Sequence, residues 1–437
     1  MKKILNMSLP ICFILPYLEV NAVRRLLTYS NSDAIFPANL VLVCIYSFLL
    51  LALTPRQSKT AILNPKGLNQ VAYFKLVFDV YLLVFSVLSC LDKGNIQATI
   101  FQLAYFIIPF WYSIIFIRYI IMNGLNVPKV IRNGTLLFTA YLIANIAINL
   151  VNYGFTIGVS RLISTGGGSV LLGYTIALVA AFVLRFRPFS RAVEIMIILV
   201  FFIAVLMSGT RGGIWPLLLL IFVFAVTKRT GRLNVLALVC LFLVIILLNP
   251  LSFVLEKFPR VANFAESGRL TSIVNCLRAF GEQPLYEQIF GAGFGNVFPY
   301  QKWLINTDLR GSYFERYNLF QFNGQYLLAQ PHNTYMYFLL ETGIVGLLLY
   351  MILLNKVKNL LVKSNSNVFR AKSARIPFYT FVLLGMVEST VLIQPGTAGL
   401  WWITLLFSCL SRDGSSKQNI AFVECIGILA KEGAHDV

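Results

Sequence analysis

The chain has 437 residues, of which 58% are hydrophobic and only 12% are charged. Soluble domains carry about 25% charged residues, so this composition excludes an ordinary soluble protein. In a soluble protein the net charge of +19 would indicate nucleic-acid binding. Here Lys and Arg fall mostly in short loops between apolar runs, as in polytopic membrane proteins. We predict an integral membrane protein that contacts membrane lipid and no nucleic acid.

Apolar runs of about 20 residues, enough for an α-helix to cross about 30 Å of hydrocarbon, recur along the chain. They predict an all-α polytopic membrane protein with about 12 transmembrane helices. The candidate spans are residues 4–20, 35–54, 70–91, 97–120, 134–153, 168–186, 192–209, 212–227, 233–250, 333–355, 376–394 and 398–411.

A long polar segment, residues 251–331, separates helices 9 and 10. Residues 1–250 would then hold helices 1–9, residues 332–411 helices 10–12, and residues 412–437 a cytoplasmic tail. The basic loops share one side of the membrane if both termini are cytoplasmic. This topology makes the long segment a periplasmic loop. Its aromatic content and helical pattern predict an ordered, partly helical cap.

Several kinds of site have no support in the sequence. The seven cysteines show no C-x-x-C spacing, so neither a disulfide framework nor a zinc site is indicated. No paired-carboxylate cluster for Mg²⁺ and no nucleotide-binding P-loop occurs. We therefore expect neither a metal nor a cofactor.

In the third span, Lys75 and Asp79 are four residues apart. That spacing places them on one helix face, where they can neutralise each other. We interpret the pair as structural.

Arg211 lies in the segment Ser208-Gly209-Thr210-Arg211-Gly212-Gly213, between two apolar runs on the outer face. Glycines let a ligand approach the backbone closely, and the following helix start presents free N–H groups. A guanidinium there suits a phosphate, which it binds with two hydrogen bonds. The alternative is an interfacial arginine that reaches lipid headgroups.

Two more arginines lie in the predicted cap, near an amphipathic pattern from about residue 270 to 280. Arg269 opens that pattern, and Arg278 follows nine residues later. Each is a candidate anion ligand. On spacing alone, each also fits a solvated helix residue.

His332 stands where the polar segment re-enters an apolar run, followed by Asn333. An imidazole at a membrane surface can accept a proton near neutral pH, which suits a general base. The alternative is a helix-capping role, with Asn333 at the helix start. Glu388, near the outer end of the eleventh span, is an intramembrane carboxylate. Ionisable residues are rare inside membranes, so it is a candidate functional residue. It can equally be a structural partner for an arginine.

Together and in order, the outer segments resemble the bacterial O-antigen ligase and polymerase superfamily. The matching pieces are the Arg211 segment, Ser267-Gly268-Arg269 with the later Phe290-Gly291-Ala292-Gly293-Phe294-Gly295-Asn296, and Pro331-His332-Asn333 followed after nine residues by Gly343-Ile344-Val345-Gly346. The last, H-N-x9-G-x-x-G, is the most specific. The resemblance covers roughly residues 165–400 and implies a membrane glycosyltransferase of the C type.

The resemblance also implies roles for single residues. Arg211 and Arg269 would bind the diphosphate of an undecaprenyl-diphosphate-linked glycan, and His332 would deprotonate the acceptor hydroxyl. Arg278 is an extra cation for the phosphates, and Glu388 and Asn333 are supporting residues. The site would face the periplasm from the bacterial inner membrane, without a metal.

The alternative functions differ mainly in the molecule that accepts the glycan. A ligase moves the finished glycan to lipid A-core, which the complete H-N-x9-G-x-x-G element favours, whereas a polymerase adds it to a growing glycan. A protein O-oligosaccharyltransferase of the same fold would need a peptide groove in the cap. A solute transporter would place its charges at the bilayer midplane, not at one face.

Overall fold

A computed structural model describes residues 2–15, 38–54, 66–93, 96–153, 168–208, 269–297, 319–322, 325–328, 333–363, 368–388 and 395–407. This part of the chain is predominantly helical, as predicted. The elements are α1 (Lys2–Ser8), a 3-10 helix (Leu9–Phe13), α2 (Ala38–Leu53), α3 (Lys66–Lys93), α4 (Ile96–Met122), α5 (Val127–Tyr153), α6 (Gly168–Phe186), α7 (Arg191–Ser208), α8 (Arg269–Glu282), α9 (Leu285–Phe290), β1 (Leu319–Phe322), β2 (Gln325–Leu328), α10 (Thr334–Lys363), α11 (Val368–Val387) and α12 (Pro395–Phe407).

Four described helices contain stretches long and apolar enough to cross a membrane. These are Gln70–Ser89, Thr99–Met122, Val127–Val151 and Thr334–Leu361. Shorter apolar stretches lie in α2, α6 and α11. The predicted spans 212–227 and 233–250 lie outside the described residues, so the count of twelve stays a prediction.

The first predicted span, residues 4–20, does not begin as one α-helix. After α1 the chain tightens into the 3-10 helix, with a proline near its start. Pro10 has no N–H to donate and its ring crowds the preceding turn, so an α-helix cannot continue unchanged through it. Residues 16–20 lie outside the described part.

The described residues divide into two compact units. The first holds α1, the 3-10 helix, α6, α7 and nearly all of α5. Its core contains paired aromatic rings: those of Phe13 and Phe182 lie 6.0 Å apart, and those of Phe138 and Phe201 lie 5.8 Å apart. A side chain at Gly134 would overlap the ring of Phe13, so the glycine makes room for it.

The second unit holds α3, α4, α8–α10, α12 and most of α2 and α11. Helices α4 and α12 pack closely, with the rings of Phe110 and Trp402 edge to face at 4.9 Å. A Cβ atom at Gly399 would come within 2.9 Å of Tyr112, so this glycine permits the close approach. Trp401 and Trp402 are fully buried.

Helix α10 is broken at Gly343, whose backbone has φ 66° and ψ −173°. Phe338 and Tyr350 stand on opposite sides of the break, and twelve residues of straight helix would separate them by about 18 Å. Their ring centroids are nevertheless 4.3 Å apart. The segments 334–342 and 344–363 therefore bend back towards each other. The predicted continuous span 333–355 is wrong in this respect, although 344–363 alone is about 30 Å long and matches the hydrocarbon thickness.

The predicted cap contains a short β-hairpin, which the prediction of an all-α protein did not include. Strands β1 and β2 are antiparallel, with Leu319 opposite Leu328 and Phe322 opposite Gln325. In the sequence, Asn323-Gly324 separates them, and Asn-Gly is the dipeptide most typical of a two-residue hairpin turn. The predicted amphipathic helix of the cap is confirmed by α8.

Candidate functional site

The start of α10 is fixed by Asn333. Its side-chain Oδ1 accepts hydrogen bonds from the backbone N–H groups of Tyr335 (2.9 Å) and Met336 (3.1 Å). These N–H groups lie in the first turn, where the helix has no carbonyl to offer them. Asn333 is therefore the N-cap residue, and the helix begins where the sequence predicted it. The capping role left open for His332 is already filled by its neighbour.

The same end of α10 is tied to the end of α11. Asn333 Nδ2 donates to the carbonyl oxygen of Met386 at 3.0 Å, and Thr334 Oγ1 donates to that of Glu388 at 2.8 Å. Glu388 directly follows α11 and is 2% exposed. Two residues predicted to support the site, Asn333 and Glu388, are thus brought together from positions far apart in sequence.

A glycine-rich turn, residues 291–297, packs against the first segment of α10. The N–H of Ala292 donates to Leu340 O at 3.2 Å, and that of Gly293 donates to Glu341 O at 2.9 Å. A Cβ atom at Gly343 would collide with the backbone of Ile289 and Gly291. Only glycine permits this approach together with the backbone conformation at the break.

A buried carboxylate holds the turn in place. Glu341 is 0% exposed, and its carboxylate accepts hydrogen bonds from the N–H of Gly295 and, at 3.0 Å, from that of Val297. Successive backbone N–H groups form a cavity suited to an anion, and here the anion is the protein's own side chain. Glu341 is not among the residues predicted from the sequence. Its signal was a single acidic residue inside a long apolar run.

Helix α3 completes this region. Tyr81 OH lies within hydrogen-bonding distance of Phe290 O (3.1 Å) and Thr342 O (2.8 Å), so it bridges the turn and α10. The N–H of Phe294 donates to Ser86 Oγ at 3.1 Å. The turn is therefore held from two sides, by α3 and by α10.

The second glycine of the G-x-x-G element has a packing role. A Cβ atom at Gly346 would overlap the side chain of Thr342, whose hydroxyl donates to Phe338 O at 2.7 Å. The H-N-x9-G-x-x-G pattern thus encodes a capped start at Asn333, a break at Gly343 and a close contact at Gly346.

The residues predicted to act on substrate are described only in part. Arg211 and His332 lie outside the described residues; α7 ends at Ser208, where the Arg211 segment begins. Arg269 is the first residue of α8, with its side chain outside the described part. Arg278 is exposed on α8.

Lys75 and Asp79 form the predicted ion pair, and both are buried. Trp111 Nε1 also donates to Asp79 Oδ2 at 2.8 Å. The Lys75 ammonium lies 4.5 Å from the ring centre of Phe106 and 5.0 Å from that of Phe110. Every charge in this cluster has a neutralising neighbour, which supports the structural interpretation.

Apolar helices of spanning length make the chain an integral membrane protein. Residues 195–351 match the family model described as O-antigen ligase, which confirms the family predicted from the sequence. Over these residues the chain is similar to the O-antigen ligase and polymerase superfamily. Its glycosyltransferase-like members support an enzymatic function. Comparison with curated proteins gives no match.

Proposed function

We propose that the protein transfers an O-antigen-type glycan from undecaprenyl diphosphate to a hydroxyl of lipid A-core at the periplasmic face of the inner membrane. The observation that carries this proposal is the O-antigen ligase match over residues 195–351, which includes Arg211, Arg269 and His332. The complete H-N-x9-G-x-x-G element favours a ligase over a polymerase.

The geometry around Asn333, the residue that follows His332 in the sequence, supports this proposal. Asn333 caps the helix and bonds to Met386, while Thr334 bonds to Glu388. The turn clamped by Glu341 supports the same helix segment. Catalytic groups work best when rigid elements hold them, and His332 directly precedes this anchored residue.

In the proposed reaction His332, as the neutral imidazole, removes the proton of the acceptor hydroxyl. The oxygen attacks the anomeric carbon opposite the diphosphate, a glycosidic bond forms, the bond to the phosphate oxygen breaks, and the configuration inverts. Arg211 and Arg269 stabilise the charge on the departing diphosphate, which is already a good leaving group. One base and two cations suffice for these steps.

The first test replaces His332 in purified, reconstituted protein. His332→Ala should bind the lipid-linked donor normally and transfer it roughly 10²- to 10⁴-fold more slowly, the usual contribution of a positioned base. His332→Asn should be equally slow, because amides do not accept protons at neutral pH. His435→Ala, in the polar tail, is the matched control. Transfer by His332→Asn at the normal rate would contradict the role of base.

The second test separates the arginines. Arg211→Ala and Arg269→Ala should each weaken donor use strongly, and Arg211→Lys should recover only part of it because an ammonium lacks the two-pronged guanidinium. Arg278→Ala tests the extra cation and should weaken donor use less than either of these changes, because Arg278 lies at an exposed position. Activity should persist in excess chelator, and its loss with recovery on added Mg²⁺ would overturn the metal-free mechanism.

The third test identifies the acceptor in a deletion strain. A ligase defect leaves lipid A-core bare while lipid-linked polymer accumulates. Lipid A-core that carries one repeat unit would instead show a polymerase. Normal lipopolysaccharide with a defect only in glycoprotein or solute uptake would refute the proposed function.

A further inference from the structure

Helices α8 and α9 carry a row of exposed apolar side chains. The exposed fractions are 37% for Val274, 47% for Leu277, 72% for Leu285 and 38% for Phe290. Val274 and Leu277, three residues apart, share one side of α8, and Leu285 and Phe290 lie on α9, which begins after two further residues. Exposed apolar side chains grouped on neighbouring helices mark an interaction site.

Helix α8 divides into three sectors around its axis. Cys276 and Ala279 point into the protein; Cys276 is 1% exposed, and burial raises the pKa of its thiol to about 12. Val274 and Leu277 form an exposed apolar sector. Arg278 and Glu282 lie on the exposed polar flank. A helix with these three sides suits the membrane surface beside a protein. Its buried side contacts the protein, its exposed apolar side contacts lipid and its polar side contacts water.

The contact between α9 and α3 sets the depth of this face. Phe290 stacks on Phe85 with ring centroids 4.8 Å apart and an interplanar angle of 4°. Phe85 lies four residues before the end of the apolar stretch Gln70–Ser89, which is about 6 Å along the helix axis. Interfacial amphipathic helices sit about 5–10 Å into the boundary between headgroups and acyl chains.

The exposed surface of α3 at the same level is also apolar. Leu88, three residues after Phe85 and therefore its neighbour on the helix surface, is 57% exposed, and Leu83, further round the same helix, is 44% exposed. In a membrane-spanning helix such side chains contact acyl chains. The apolar face of α8 and α9 is therefore continuous, through the Phe85–Phe290 stack, with the lipid-facing side of α3.

We propose that the face formed by Val274, Leu277, Leu285 and Phe290 docks into the bilayer surface at the level of the lipid headgroups. The occupant is bulk phospholipid. Its acyl chains contact the apolar sector, and the exposed Arg278 reaches its phosphates. The docked helices hold the glycine-rich turn beside α3 and α10 at the membrane surface.

The test uses full-length protein in vesicles of phosphatidylcholine and phosphatidylglycerol. A photoactivatable diazirine amino acid replaces Leu277 or Leu285, and mass spectrometry identifies what each residue captures on illumination. Phospholipid adducts should form at both positions at about the level of Leu83 on α3, and roughly five- to tenfold above Glu282 on the polar flank of α8. The native tryptophans and cysteines do not interfere with this readout.

Adducts with peptides of this chain, or with a second copy, would show that protein covers the face and would overturn the proposal. Equal yields at Leu277, Leu285 and Glu282 would do the same, because they would place the face in water. Binding of phospholipid is measured here without donor or acceptor, so a failure of the proposed glycan transfer would leave this test unaffected.

Discussion

The second unit contains two buried carboxylates that are stabilised in different ways. Asp79 accepts from Lys75, one turn away on α3, and from Trp111 on α4. Glu341 accepts from Gly295 and Val297, which precede it by more than forty residues. One of the partners of Asp79 is a cation, the Lys75 ammonium. The groups that Gly295 and Val297 offer to Glu341 are neutral backbone N–H groups. Both arrangements satisfy a carboxylate that water does not reach.

The difference lies in what each carboxylate organises. The Lys75–Asp79 pair neutralises its two charges within one helix, and Trp111 adds one hydrogen bond from the neighbouring α4. Glu341 fixes a distant turn against α10, and this contact also needs glycine at position 343. The first arrangement supports the bundle, whereas the second shapes the region that carries the H-N-x9-G-x-x-G element.

We expect the largest effect from Gly343→Ala. Alanine would have to adopt a backbone conformation that essentially only glycine adopts, and its methyl group would meet the backbone of Ile289 and Gly291. Backbone strain and overpacking each cost about 1–3 kcal/mol. Thermal unfolding in detergent should show a large fall in Tm, together with loss of glycan transfer.

Two glycines provide matched controls for Gly343→Ala. Gly124 has φ 58° but open space around its Cβ position, so Gly124→Ala should cost only the strain. Gly281 has neither feature and lies at the end of α8, so Gly281→Ala should be neutral or slightly stabilising. Equal Tm values for all three variants would show that the break at Gly343 is no more sensitive to alanine than the other two positions.

The sequence predicted features with local causes better than features with distant ones. The Lys75–Asp79 pair, the amphipathic α8 and the helix start at Asn333 depend on residues within one or two turns, and all three are confirmed. The bend at Gly343 and the partners of Glu341 depend on a segment about fifty residues away. A glycine inside an apolar run fits a straight transmembrane helix equally well. The β-hairpin had a local signal, Asn323-Gly324, which the helical pattern of the chain obscured.

The second prediction concerns the local pair. Asp79→Leu leaves the Lys75 ammonium buried without its carboxylate, and breaking a buried pair in this way costs about 3–5 kcal/mol. The double variant Lys75→Met with Asp79→Leu removes both charges and should recover most of the wild-type Tm. A double variant as unstable as Asp79→Leu would show that the pair contributes more than mutual neutralisation.

The third prediction tests the distant carboxylate. In Glu341→Gln one amide oxygen replaces two carboxylate oxygens, and the amide NH₂ faces a backbone N–H. One buried N–H of Gly295 or Val297 then loses its partner, at about 1–3 kcal/mol. The Tm should fall and amide hydrogen exchange in residues 291–297 should accelerate. Glu282→Gln, exposed on α8, is the control. Unchanged amide hydrogen exchange in the turn would contradict the proposal that Glu341 holds it in place.

The smallest effect should come from the helix cap. Asn333→Ala removes the acceptor for the Tyr335 and Met336 N–H groups and the donor to Met386 O, for a loss of about 0.5–2 kcal/mol. Asn333→Asp keeps the acceptor and adds a negative charge at a helix N-terminus, which is favourable, so its Tm should lie between alanine and wild type. Because Asn333 directly follows the proposed base, both variants should lower kcat for transfer while donor binding stays unchanged. Weaker donor binding with an unchanged kcat would instead assign the start of α10 to substrate binding.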